Sequence, residues 1–131
     1  MDHSASFPAF VARKNADGQV AARVERLAVS DLPNGEVLIR VAYSSLNYKD
    51  ALASQGHPGV VRNLPHVPGI DCAGTVEEST SPLFKPGDKV IITGYELGSG
   101  HWGGYSEFVR VPAEWIVPLP TGLTLRETMI Y

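Results

Sequence analysis

Cysteine is the residue type that this 131-residue sequence has least of, since Cys72 stands alone. A single cysteine excludes an internal disulfide. It also excludes a zinc site built from several thiolates, the arrangement that structural zinc commonly takes. The cysteine count therefore restricts the chemistry of the protein before any motif is considered.

An excess of positive charge and long apolar runs are also missing. Eleven Lys and Arg stand against 14 Asp and Glu, a formal net charge of -3 that offers no basic field for nucleic-acid phosphates or anionic lipids. The longest apolar runs, such as residues 37–42, are interrupted within a few residues, far short of the roughly 20 residues that cross a bilayer. Residues 1–6 contain Asp2 and no basic segment followed by an apolar one, so they do not form a secretory signal. The sequence thus predicts no nucleic-acid partner, no membrane span and a cytoplasmic location.

Glycine and proline, in contrast, are plentiful at 13 and 10 residues, and 44% of the residues are hydrophobic. Many turns and few long helices follow from such a composition. The length suits one domain with a single core and leaves no room for two full domains. We therefore expect a mainly β domain that occupies residues 1–131.

Local patterns place the elements of this domain. Asp17-Gly18 is typical of a hairpin turn, and Asn47 is suited to cap a short helix over residues 48–53. The β-branched and alternating runs predict strands at residues 9–13, 20–29, 37–42, 71–77, 89–93 and 105–111. An irregular loop is expected over residues 56–69, and a glycine-rich loop over residues 94–104. Thr124 and Glu127 form a capping-box pattern that predicts the start of a last helix.

Three segments occur in a fixed order: Ser-Ser-Leu-Asn-Tyr-Lys-Asp at 44–50, Val-Pro-Gly-Ile-Asp-Cys-Ala-Gly-Thr-Val at 67–76 and Phe-Lys-Pro-Gly-Asp-Lys-Val at 84–90. Together they resemble the catalytic domain of the medium-chain dehydrogenase/reductase superfamily. His-Trp-Gly-Gly-Tyr-Ser-Glu at 101–107 resembles its zinc-independent acryloyl-CoA reductases, also called YhdH-type quinone oxidoreductases. The resemblance covers nearly the whole chain and implies a mainly β fold, a GroES-like, partly open β-barrel with short helices.

The zinc ligands of the related alcohol dehydrogenases are not found in this sequence. Those enzymes place a cysteine where Asn47 stands and a His-Glu pair where Ile70-Asp71 stands. Pairing Cys72 with any nearby histidine does not restore a recognisable ligand spacing; the histidines considered are His57, His66 and His101. The comparison predicts an enzyme that works without zinc.

The reaction that the resemblance implies is hydride transfer from NADPH to the β-carbon of an enoyl-CoA, or to a quinone. Asn47 and Tyr48 are the expected hydrogen-bond donors to the carbonyl oxygen and also border the cofactor. Asp50 either orients Tyr48 or relays a proton, or else makes only a surface or helix-end contact. Arg62 either pairs with a phosphate of CoA or NADPH, or is simply solvated. The predicted catalytic residues are therefore Tyr48, Asn47 and Asp50, and the predicted cofactor contacts are Asn47, Tyr48 and Arg62.

The superfamily also has a Rossmann nucleotide-binding domain, to which the segment corresponding to residues 127–131 leads. That domain supplies most NADPH contacts and commonly the homodimer interface. It is absent from these 131 residues, so the resemblance implies that the chain alone is inactive. The alternative hypothesis is a stand-alone GroES-like binding or assembly module with no redox activity.

Overall fold

The computed structural model describes residues 1–130. Within these described residues, seven strands and two short α-helices follow one another: β1 (Ser6–Lys14), β2 (Val20–Ala28), β3 (Val37–Ser44), α1 (Tyr48–Ser54), β4 (Asp71–Ser79), β5 (Lys89–Thr93), β6 (Phe108–Val111), β7 (Val117–Pro118) and α2 (Leu125–Thr128). Single 3-10 turns lie at Val29–Asp31 and Ala113–Trp115. Within residues 1–130, no helix is both long enough and apolar enough to cross a membrane.

The hairpin predicted around Asp17-Gly18 is confirmed. β1 and β2 pair antiparallel from Ser6 opposite Ala28 to Lys14 opposite Val20. Gly18 has a φ of +86°, a left-handed conformation that glycine adopts without the steric cost of a side chain. The turn residues of the sequence therefore set the register of this hairpin.

The other five strands form one antiparallel sheet in the order β6-β3-β4-β5-β7. Its central strands begin close to where the sequence predicts them. The last predicted strand, at residues 105–111, is shorter than expected and starts at Phe108, because the Tyr105 carbonyl accepts from Phe10 N of β1 instead (2.8 Å). β7 has only two residues and was not predicted, since so short a strand leaves no alternation to detect.

Two apolar clusters lie on opposite faces of β3. Val37 and Ile39 belong to one, whereas Leu38 belongs to the other. Phe7 and Phe108 meet edge to face in the second cluster, with ring centroids 5.3 Å apart. Because both faces of this strand are covered, consecutive residues are buried where alternation alone would expose every second one.

Isolated bridges join the hairpin to the segments that lead into the sheet, pairing Ala9 with Ser106 just before β6 and Ala12 with His66 in the loop before β4. The two sheets approach each other at these bridges without closing. The arrangement is mainly β and partly open, as predicted. At its far end, the capping box of α2 is also confirmed, since Glu127 N donates to Thr124 Oγ1 (3.2 Å) and Thr124 N to Glu127 Oε1 (2.9 Å).

Gly74 allows β3 and β4 to approach closely, and replacing it tests that contact. A Cβ at this position would overlap the Arg40 carbonyl oxygen of β3. We expect Gly74→Ala to lower the free energy of unfolding in urea by about 3 kcal/mol, the cost of overpacking against backbone that cannot yield. The control is Gly87→Ala, where a Cβ meets nothing within 4 Å but φ is +95°. That variant should lose only about 1 kcal/mol, and equal losses in the two variants would contradict the steric explanation.

Candidate functional site

The candidate site begins at Asn47, the residue immediately before α1. Asn47 has an extended backbone (φ −128°, ψ 158°) and is the N-cap residue, as the sequence predicted. Its backbone N–H donates to Asp50 Oδ2 at 3.0 Å. In a capping box, this is the contact between the N-cap backbone and the side chain of the third helical residue. This contact makes Tyr48 the first helical residue and leaves its side chain 80% exposed.

Asp50 is a buried carboxylate, with 1% of its surface exposed. Its Oδ1 accepts from Gly69 N at 3.2 Å and from Ile70 N at 2.9 Å, just before β4 begins. Charge buried in this way is tolerated because several donors surround it. Of the roles weighed from the sequence, the structure shows the helix-end contact. The side chain does not lie on the surface, and within residues 1–130 none of its hydrogen bonds goes to Tyr48.

Tyr105 is a member of the site that sequence reasoning did not single out. Its hydroxyl lies 2.8 Å from the Ser45 carbonyl oxygen and 3.1 Å from Asp50 Oδ2, so the one O–H is shared between two acceptors. Burial, followed by the negative charge of Asp50, raises the pKa of Tyr105 above its usual value. The hydroxyl therefore keeps its proton and acts as a donor. Gly103-Gly104-Tyr105 was visible in the sequence, but the sequence does not reveal a partner 55 residues away.

The Asn47 carboxamide extends these contacts to a second carboxylate. Asn47 Nδ2 lies 2.9 Å from Ser45 Oγ, 3.3 Å from Asp71 Oδ2 and 3.4 Å from Asp50 Oδ2. Ser45 Oγ in turn donates to Asp71 Oδ2 at 3.1 Å. We call the five residues Ser45, Asn47, Asp50, Asp71 and Tyr105 the carboxylate network. The donors of Asn47 point into this network, whereas no hydrogen bond of the Tyr48 side chain is found within residues 1–130.

Apolar side chains are exposed next to the network. Leu46 is 84% exposed and Tyr48 is 80% exposed, on either side of Asn47. Large apolar groups in water next to a buried polar network are typical of a surface that binds another molecule.

Arg62, the predicted phosphate-binding residue, lies outside the carboxylate network. Its guanidinium is 2.8 Å from Glu96 Oε1, and both side chains are well exposed. Together with Lys49 of α1 it lines a cleft of about 280 Å³. The structure thus separates the predicted site residues into the network around Asn47 and Asp50, the exposed Tyr48, and a cleft that contains Arg62.

Side-chain hydrogen bonds hold the loops around the cleft. His66 is 2% exposed and its Nε2 lies 2.8 Å from the Gly98 carbonyl oxygen. Burial lowers the pKa of His66, so the ring is neutral and carries its proton on Nε2 as the donor. Trp102 Nε1 donates to the Pro65 carbonyl oxygen at 3.2 Å. These contacts join the irregular loop at 56–69 to the glycine-rich loop at 94–104.

Metal ligands do not converge in the part of the chain that the structure describes. No group of three or more His, Cys, Asp and Glu side chains in residues 1–130 is placed to hold a metal ion. Cys72 is buried in β4, and burial raises the pKa of its thiol to about 12. The thiol is therefore protonated and packs as a small apolar group.

Known proteins resemble this chain in sequence and in fold. Residues 33–121 match the alcohol dehydrogenase GroES-like domain family. The chain is 52% identical over 124 residues to the acrylyl-CoA reductase AcuI of Ruegeria pomeroyi, covering 94% of this chain and 38% of that protein. It is 50% identical over 128 residues to the putative quinone oxidoreductase YhfP of Bacillus subtilis, covering 98% of this chain and 38% of that protein.

A solved structure is similar over the same region. The yhdH oxidoreductase of Salmonella enterica in complex with NADP superposes with a TM-score of 0.89 and 46% identity, over 94% of this chain and 38% of that one. The chain thus spans well under half the length of the relatives it matches. The similarity covers both the barrel and the candidate site.

Tyr105→Phe tests whether the network depends on the tyrosine hydroxyl. Its removal deprives the buried Asp50 of one donor, and we expect the free energy of unfolding in urea to fall by about 1–2 kcal/mol. Tyr43→Phe removes a hydroxyl from a half-exposed side chain and should change stability by less than about 0.5 kcal/mol. Similar losses in the two variants would show that the Asp50 contact does not stabilise the fold.

The buried His66 predicts a loss of stability in mild acid. Its pKa in the folded chain lies below the ordinary value of 6.5, so the unfolded chain takes up this proton first as the pH falls. The stabilisation is complete above pH 6.5 and is lost as the pH falls towards the folded pKa, by at most about 1.4 kcal/mol per pH unit. His66→Gln keeps a donor but does not titrate, so urea unfolding at pH 7.5 and 5.5 should show a smaller pH dependence in the variant. An unchanged pH dependence would contradict this role.

Proposed function

Since the chain belongs to the alcohol dehydrogenase GroES-like domain family, we propose that it is the substrate-binding and catalytic domain of an NADPH-dependent oxidoreductase. The acceptor is an enoyl-CoA, such as acryloyl-CoA, or a quinone, and the enzyme works without zinc. The observation that carries the proposal is the carboxylate network, which fixes the start of α1 and leaves Tyr48 exposed beside it. Relatives named acrylyl-CoA reductase and quinone oxidoreductase match this part of the chain.

The described residues fit the reactive end of a nicotinamide cofactor. Asn47 and Tyr48 border the exposed apolar surface, which suits a flat ring, and Arg62 is available to a phosphate. When bound, the reduced nicotinamide supplies the hydride. We assign the remaining NADPH contacts and the homodimer interface to a Rossmann domain outside these 131 residues.

Tyr48 stabilises the charge that the reaction creates. Adding a hydride to the β-carbon of an enoyl thioester leaves negative charge on the carbonyl oxygen, and a preorganised donor at that oxygen lowers the barrier. The Tyr48 hydroxyl is that donor, and a proton from water at this exposed face completes the reduction at the α-carbon. With a quinone, the same hydroxyl faces the quinone oxygen.

Asn47 and Asp50 are positioning residues in this scheme. The Asn47 amide donates to carboxylates, and Asp50 holds the Asn47 N–H and the backbone at Gly69 and Ile70. The Asn47 amide donates a hydrogen bond to Asp71 and so compensates the negative charge of that carboxylate. The zinc-binding cysteine thiolate that related alcohol dehydrogenases place at this position is itself negative and cannot do so. This supports a site in which hydrogen bonds replace a Lewis acid.

The test is turnover with and without the Tyr48 hydroxyl. This chain is joined to the remainder of the Ruegeria pomeroyi relative, and NADPH oxidation is followed with acryloyl-CoA and with a quinone. We expect turnover in the chimera, none from the 131-residue chain alone, and no stoichiometric zinc by elemental analysis. Tyr48→Phe should lower kcat/KM by about 100-fold, the effect of removing one oxyanion donor.

Tyr43→Phe is the matched control and should leave kcat/KM unchanged. An unchanged rate in Tyr48→Phe would remove Tyr48 from the mechanism. A chimera that folds but does not oxidise NADPH would contradict the reductase assignment and favour a stand-alone binding module. Turnover by the chain alone would instead contradict the assignment of the cofactor contacts to a second domain.

A further inference from the structure

The cleft that contains Arg62 is built by three separate segments. Lys49 comes from α1, and two loops supply the rest of its wall. The residues that line it are Lys49, Pro58, Gly59, Val60, Arg62, Tyr95, Glu96, Ser99 and Gly100. Lys49 directly follows Tyr48 in α1, so the same helix contributes to the cleft and to the exposed surface of the candidate site.

The charges in the cleft favour an anion. Two cations, Lys49 and Arg62, line it together with one carboxylate, Glu96. Lys49 is exposed and makes no ion pair within residues 1–130. Arg62 pairs with Glu96, but the side chains are 72% and 50% exposed, and an exposed pair of this kind is weak. A phosphate can displace Glu96, because it carries more negative charge than a carboxylate and can also pair bidentately with the guanidinium.

An aromatic ring lies beside these cations. Tyr95 stacks on Trp115 with centroids 5.7 Å apart and 9° between the ring planes, yet it remains 63% exposed. Its backbone has a φ of +54°, a left-handed conformation that is uncommon for an aromatic residue. Gly59 and Gly100 leave space in the wall of the cleft. An exposed, supported ring next to two cations suits a nucleotide, whose base can stack while its phosphates meet the cations.

We infer that this cleft binds the phosphorylated adenosine of a nucleotide ligand through Lys49, Arg62 and Tyr95. The inference rests on the proposed function, since CoA thioesters and NADPH both carry such a group and quinones do not. Binding of CoA would identify an acyl-CoA as the acceptor, whereas binding of the NADPH fragment would identify the cleft as part of the cofactor site. The shared chemistry is a ribose phosphate attached to adenine.

The experiment is calorimetric titration of the 131-residue protein with CoA, with 2′,5′-ADP as the adenosine part of NADPH, and with adenosine. We expect saturable binding of CoA or of 2′,5′-ADP, and much weaker binding of adenosine. Arg62→Gln and Lys49→Gln should each weaken binding by about three- to tenfold, the effect of losing one charge-assisted contact in an open cleft. Glu96→Gln should strengthen binding, because it removes the competing carboxylate.

Arg23→Gln is the matched control, since Arg23 is an exposed cation of β2 outside the cleft. Its affinity should equal that of the unmodified protein. The inference is overturned if neither phosphorylated ligand binds, if the cleft variants bind normally, or if Arg23→Gln weakens binding as much as they do. Weaker binding by the Glu96→Gln variant would also overturn the inference, because the carboxylate would then be part of the binding site.

This outcome is separable from that of the reductase proposal. The titration contains no hydride acceptor and does not require turnover, whereas the reductase proposal is measured by NADPH oxidation in the chimera. If the chimera oxidises NADPH and the Lys49 and Arg62 variants bind the phosphorylated ligands with normal affinity, only the cleft assignment is overturned. Variant-sensitive binding without turnover would support the cleft assignment and contradict the reductase.

Discussion

The Asp50 carboxylate is the group on which the candidate site depends. It is almost completely buried, and three backbone N–H groups, from Asn47, Gly69 and Ile70, together with the Tyr105 hydroxyl, lie around its two oxygens. A charge in this position is tolerated only while these donors surround it. The same contacts therefore fix where α1 begins, where the chain enters β4 and where the loop before β6 lies.

Close backbone packing makes this convergence possible. Gly69 has a φ of +110°, and a Cβ there would lie 2.6 Å from Gly104 N, so the entry to β4 and the glycine-rich loop touch at main-chain distance. The hydrogen bond from His66 Nε2 to the Gly98 carbonyl oxygen holds the same two loops together. Val67 and Cys72, on either side of Gly69 in sequence, belong to the two apolar clusters. The site thus consists of loops whose positions are set by glycine contacts and buried hydrogen bonds.

The arrangement separates buried from exposed side chains among neighbouring residues. Asn47 and Asp50 turn inward and hold one another, whereas Tyr48 and Lys49, between them in sequence, turn outward. Helix geometry produces this division, because successive residues of a helix point about 100° apart. One short helix is therefore anchored on its inner face and leaves a hydroxyl and an ammonium group exposed on its outer face. The acrylyl-CoA reductase and quinone oxidoreductase relatives match the chain through this region.

Local patterns in the sequence were sufficient for the hairpin at Gly18, the helix start at Asn47 and the capping box at Thr124, since each depends on residues within a few positions of one another. The ordered motifs were sufficient for the GroES-like fold and the family. They did not reveal the Tyr105 contact with Asp50, the pairing of Arg62 with Glu96 or the shortened β6, because these depend on segments brought together only by folding. Hydrogen bonds between distant residues leave no periodicity in the chain. The sequence by itself determined the elements and the candidate residues, whereas the tertiary structure decided which of them are buried together and which face solvent.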